Sequence, residues 1–76
     1  MKNDVKPTIL KIDLKKILTD KELEILQRLS TGKTYKEIAV LQGVKIDTVK
    51  KHCSHIYQKL SVRNKTEAIL FYLRLS

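Results

Sequence analysis

Residues 46–60 read Ile46-Asp47-Thr48-Val49-Lys50-Lys51-His52-Cys53-Ser54-His55-Ile56-Tyr57-Gln58-Lys59-Leu60, and this stretch decides the fold. At about 100° per residue, Val49, Cys53, Ile56 and Leu60 fall in one narrow sector, so the spacing predicts a helix with that sector turned toward a core. Asp47, Lys50, Lys51, Ser54 and Gln58 lie opposite. This outward face carries cations, a hydroxyl and an amide but no bulky apolar group, the chemistry that reaches phosphates and base edges in a groove. A merely solvated helix face has a similar composition, so the wheel by itself leaves both readings open.

Upstream, the helix starts are marked by caps. In Leu18-Thr19-Asp20-Lys21-Glu22-Leu23 the Thr19 hydroxyl is placed to accept from the Glu22 N–H, Glu22 to reach back to Thr19, and Leu18 to meet Leu23. Leu23, Leu26 and Leu29 then supply one apolar face, and Gly32 offers the left-handed residue that ends a first helix. Thr34-Tyr35-Lys36-Glu37 repeats the capping pattern; Ile38, Ala39 and Leu41 follow, and Gly43 stops a second helix of barely two turns. Two short helices separated by a glycine-containing break do not lie collinear, and the third begins almost at once.

A fourth helix starts at Asn64-Lys65-Thr66-Glu67, again a capping-box arrangement, and is apolar nearly all round. Ala68, Phe71, Tyr72 and Leu75 make one stripe, and Ile69, Leu70 and Leu73 make another on the far side. A chain this short has no second layer to bury the latter, so a partner subunit is its expected destination, with the N-terminal apolar residues as the competing cover.

Composition agrees with this outline. The 76 residues fall short of the roughly 100–200 expected per domain, so one small all-α module is predicted; a deep substrate cleft would consume its core, which excludes most enzymes. A net charge of +8 favours polyanionic partners, nucleic acid first and an anionic membrane second. The membrane reading requires the apolar sector of 46–60 to face lipid, which dismantles the core. A single cysteine makes no internal disulfide, and the sequence has neither a signal-peptide core nor an apolar run of about 18 residues, so a cytoplasmic protein is expected. Residues 1–17 are read as a basic arm or linker containing Pro7, with Ile9, Leu10, Ile12, Leu14 and Ile17 fitting neither helix nor strand period for long; the domain proper is 18–76.

His52, Cys53 and His55 invite a metal or thiol reading, but on the wheel Cys53 points inward with Val49 and Ile56 while both histidines point elsewhere. Three such groups on one helix do not close a tetrahedron. No metal, no cofactor and no catalytic set are expected, and Cys53 reads as a small buried hydrophobe.

In order and spacing, Leu18-Thr19, Glu22-Leu23, Ile25-Leu26, Gly32-Lys33-Thr34, Lys36-Glu37-Ile38-Ala39, Thr48-Val49-Lys50, His52, Ile56, Lys59-Leu60 and Asn64-Lys65-Thr66-Glu67-Ala68-Ile69 resemble the LuxR/GerE-type helix-turn-helix over about residues 18–73. The resemblance implies a four-helix helix-turn-helix bundle whose third helix enters the major groove of double-stranded DNA, a bacterial transcription regulator dimerising through its fourth helix. Carried over by motif position, Lys50, Lys51 and Ser54 read base edges. Thr34, Lys36, Thr48, His52, His55, Gln58, Lys59, Asn64 and Lys65 meet phosphates. Ile69, Leu70 and Leu73 form the homodimer interface, and RNA polymerase is a further expected partner. The alternative is a sigma-region-4-like module working mainly through polymerase; the Lys50-Lys51-His52 run and the apolar fourth helix fit the LuxR/GerE type better.

Three departures from the family pattern bear on mechanism. Lys45 stands where a serine often caps the recognition helix, so Asp47 is expected to cap instead and to start the helix later. Ser61 replaces a glycine between the third and fourth helices, where a left-handed conformation costs about 1 kcal/mol. Lys65 replaces a frequent arginine, turning a bidentate phosphate grip into a point charge.

Overall fold

The structure, a computed structural model, describes residues 13–75. Helix α1 (Leu14–Ile17) is followed by α2 (Asp20–Ser30), α3 (Tyr35–Gln42), α4 (Ile46–Leu60) and α5 (Lys65–Leu75), and no strand occurs among the described residues. The four expected helices are α2 to α5. The fifth, α1, is a single turn within the segment read as an arm, capped by Asp13 Oδ1 accepting from the Lys15 N–H at 2.9 Å. Its Leu14 and the following Leu18 are buried, so this turn covers the core. The rest of the arm lies outside the described residues.

Two of the three expected capping boxes close. Thr19 Oγ1 accepts from the Glu22 N–H at 3.1 Å while Glu22 Oε1 accepts from the Thr19 N–H at 2.9 Å. Thr34 and Glu37 make the same pair at 3.1 and 2.8 Å. At α5 the reciprocity is shifted: Asn64 Oδ1 accepts from the Glu67 N–H, but Glu67 Oε1 accepts from Arg63, one residue before the expected partner. Asp47 does not cap α4. The helix begins at Ile46 behind Lys45, which makes no side-chain cap bond, and Asp47 sits in the first turn, where its charge suits the helix dipole.

The ends of α2, α3 and α4 share one device. A left-handed residue (Gly32, Gly43, Ser61) turns the chain, and the next N–H reaches back five residues: Lys33 to the Arg28 carbonyl, Val44 to Ala39, Val62 to Tyr57. Ser61, at φ 58°, is the described residue that does this with a Cβ. Ser61→Gly is expected to stabilise the fold by about 0.5–1 kcal/mol, raising the melting temperature by about 2–8 °C in a thermal scan.

The core follows from these starts and stops. Ile25, Leu26 and Leu29 of α2, Ile38 and Ala39 of α3, Val49, Cys53, Ile56 and Leu60 of α4, and Ala68 of α5 are buried together with Leu14 and Leu18. Helix α2 lies beneath both α4 and α5, while α3 packs on α4. The apolar sector read from residues 46–60 is therefore the underside of α4, and its polar sector is left outward.

Candidate nucleic-acid interface

Helix α4 displays its polar face because the opposite side is fixed. Val49 and Ile56 have no exposed surface, whereas Lys50, Lys51, Ser54, His55 and Gln58 are all exposed. Thr48 and His52 are half-buried on the flanks. The turn through Gly43 brings α3 onto α4. Lys45, exposed at the start of α4, adds a cation that the sequence reading passed over by treating it only as a missing cap.

Four of the candidate phosphate contacts, Thr34, Lys36, Asn64 and Lys65, gather at two helix starts. Thr34 caps α3 with its hydroxyl oxygen as acceptor, which leaves its proton to donate outward. Asn64 caps α5 through Oδ1, which leaves its amide group to donate. The starts meet where Lys65 Nζ lies 5.4 Å from the centroid of the Tyr35 ring, within cation–π range. Lys36 is exposed in the first turn of α3.

Beneath this corner the Tyr35 and Tyr57 hydroxyls form a 2.7 Å hydrogen bond, joining α3 to α4. Burial pushes both phenols up, Tyr57 the further, so each keeps its proton across the physiological range. Burial likewise pushes up the thiol of Cys53, a free and buried cysteine. Among the described residues no group of three histidines, cysteines or carboxylates is placed to hold a metal ion.

Two expected site residues have other partners. Lys59 Nζ donates to Glu22 Oε1 at 2.7 Å, and the Glu22 side chain is only 5% exposed, so this cation braces α4 against α2. Ile69, assigned to the dimer interface, is half-buried against the chain's own core, whereas Leu70 and Leu73 are 47% and 50% exposed. A second apolar surface went unread: Val40 and Leu41 are 75% and 50% exposed and line a shallow groove with Lys33, Lys36 and Glu37. The helical pattern of α3 carries the signal, since Ile38 and Ala39 go inward and the next two residues turn out.

Among the described residues no helix is long and apolar enough to cross a membrane. The family model described as bacterial regulatory proteins, luxR family, matches residues 16–72. The chain is also similar to the response regulator protein VraR of Staphylococcus aureus (strain Mu3 / ATCC 700698), of Staphylococcus saprophyticus and of Staphylococcus epidermidis. Each is 39% identical over 59 residues, covering 78% of this chain. The chain matches 28% of the length of these curated relatives.

Proposed function

The chain belongs to the luxR family of bacterial regulatory proteins, and from that membership we propose that it is a sequence-specific double-stranded-DNA-binding transcription regulator that inserts α4 into the major groove. The observation that carries the reading is the two-sidedness of α4: an apolar underside fully buried, and an outward side of Lys50, Lys51, Ser54, His55 and Gln58. A 15-residue helix is about 22 Å long, and the major groove, about 12 Å wide, admits one. Lys50, Lys51 and Ser54 read base edges. Thr34, Lys36, Lys45, Asn64 and Lys65 grip phosphates, with Thr48, His52, His55 and Gln58 along the flanks of α4.

In this reading the protein is a cytoplasmic, nucleoid-associated regulator that needs no cofactor and carries out no catalysis. Leu70 and Leu73, exposed on α5, join two copies as a homodimer across an inverted repeat. The exposed Val40 and Leu41 offer nothing to a phosphate but suit a protein surface, and RNA polymerase is the additional partner of this reading.

The test is selection of duplexes from a random pool, followed by titration at several salt concentrations. Each phosphate neutralised releases counterions, so log affinity is expected to fall by about 0.9 per contact for each unit of log salt. An enriched inverted repeat with half-sites about one helical turn apart supports both the target and the dimer; a single enriched half-site removes the dimer. No enrichment, or an affinity indifferent to salt, overturns the reading.

A further inference from the structure

We propose that the Tyr35–Tyr57 hydroxyl pair, closed over by Lys65, is a latch that holds the phosphate-gripping helix starts in register with the base-reading helix, and so sets sequence specificity. The proposal rests on α4 being the reading helix. Three elements meet at this point: Tyr35 is the first residue of α3, Tyr57 stands in the last two turns of α4, and Lys65 is the first residue of α5. The hydroxyls are 2.7 Å apart, and the ammonium lies 5.4 Å from the centroid of the Tyr35 ring.

The location matters because of what adjoins it. Thr34 and Lys36 flank Tyr35, and Asn64 precedes Lys65, so the residues that would meet phosphates sit on either side of the latch. Phosphate contacts fix the position of a protein on the duplex; base contacts discriminate only if that position is held. Ile38 and Ala39 of α3 and Val49 of α4 lie in the shared core, where such side chains pack without direction. The hydroxyl pair supplies a directional constraint between the two helices, since a hydrogen bond weakens steeply as its angle departs from linear.

The pair also allows a stability effect to be separated from a positioning effect. Tyr57→Phe or Tyr35→Phe takes from the remaining hydroxyl its phenol partner and leaves it only the weak Cys53 thiol, which lowers stability; the double variant leaves no hydroxyl behind, only that thiol, a weak donor, and regains most of it. A latch predicts that the ratio of affinities for the selected and a scrambled duplex falls about five- to tenfold in the double variant while its melting temperature stays close to wild type. A purely structural role predicts that the ratio returns together with the melting temperature, and that result overturns the proposal, as does an unchanged ratio in all three variants.

Residual dipolar couplings on the DNA-free double variant supply a second readout. The angle between α3 and α4 is expected to widen its distribution, and an angle as narrow as that of wild type overturns the latch even if the double variant is less stable than expected. Failure of the wild-type chain to prefer any duplex counts against the DNA-reading assignment instead, and the dipolar couplings still test the latch.

Discussion

Lys50→Ala and Lys51→Ala are each expected to weaken binding to the selected duplex by about 1–3 kcal/mol and to relax discrimination at the base pair the lysine faces. Both side chains are exposed on α4 and make no contact that the core needs, so folding stability should stay within about 0.5 kcal/mol of wild type. Lys36→Ala is the contrasting case. A lysine on a phosphate carries no sequence information, so its loss should weaken selected and scrambled duplexes equally and flatten the salt slope by about 0.9. Titration of each variant against both duplexes at several salt concentrations separates the roles. Equal losses on both duplexes for Lys50 and Lys51 would move these lysines to the phosphate set and leave base reading to Ser54 and its neighbours.

That experiment could have been designed from the amino-acid sequence, because the face of α4 is a local property. Val49, Cys53, Ile56 and Leu60 are spaced within fifteen residues, and their burial follows from helical period alone. Thr19 with Glu22 and Thr34 with Glu37 were legible for the same reason, each pair being three residues apart. What escaped reading is non-local or too short. Glu22 and Lys59 are 37 residues apart and Tyr35 and Tyr57 are 22 apart, so no periodicity links them. Helix α1 is one turn, shorter than any pattern that distinguishes helix from irregular chain. Asp47 was expected to cap because lysine has no acceptor, yet α4 starts at Ile46 without a side-chain cap, held from below by four buried residues. Ile69 shows the limit of a wheel: the core takes the stripe of Ala68, Phe71, Tyr72 and Leu75, as the spacing predicts, but on a helix apolar nearly all round it also reaches Ile69 at that stripe's edge.

Lys59→Met is expected to behave unlike the other lysine substitutions, lowering stability by about 2–3 kcal/mol while leaving the salt slope of DNA binding unchanged where the variant is folded. Breaking a fully buried ion pair costs about 3–5 kcal/mol, and the smaller figure allows for Lys59 being 38% exposed and partly screened. The loss falls on Glu22, whose carboxylate would keep the Thr19 N–H at 2.9 Å but no countercharge. Burial by itself raises the Glu22 carboxyl, but the Lys59 ammonium and the Thr19 N–H outweigh it and hold the group below the ordinary 4.5. A carboxyl held low in the folded chain stabilises fully above about pH 4.5, and that contribution disappears as pH falls through the folded value. Urea unfolding of the wild type should therefore weaken on the acid side of that range, and Glu22→Gln, which has no charge to lose, should show a flatter acid limb. A Lys59→Met variant of wild-type stability with a salt slope reduced by about 0.9 would return Lys59 to the DNA surface. The bond at 2.7 Å argues for the brace: it ties the last turn of α4 to the first turn of α2, with the Glu22 end of the pair buried.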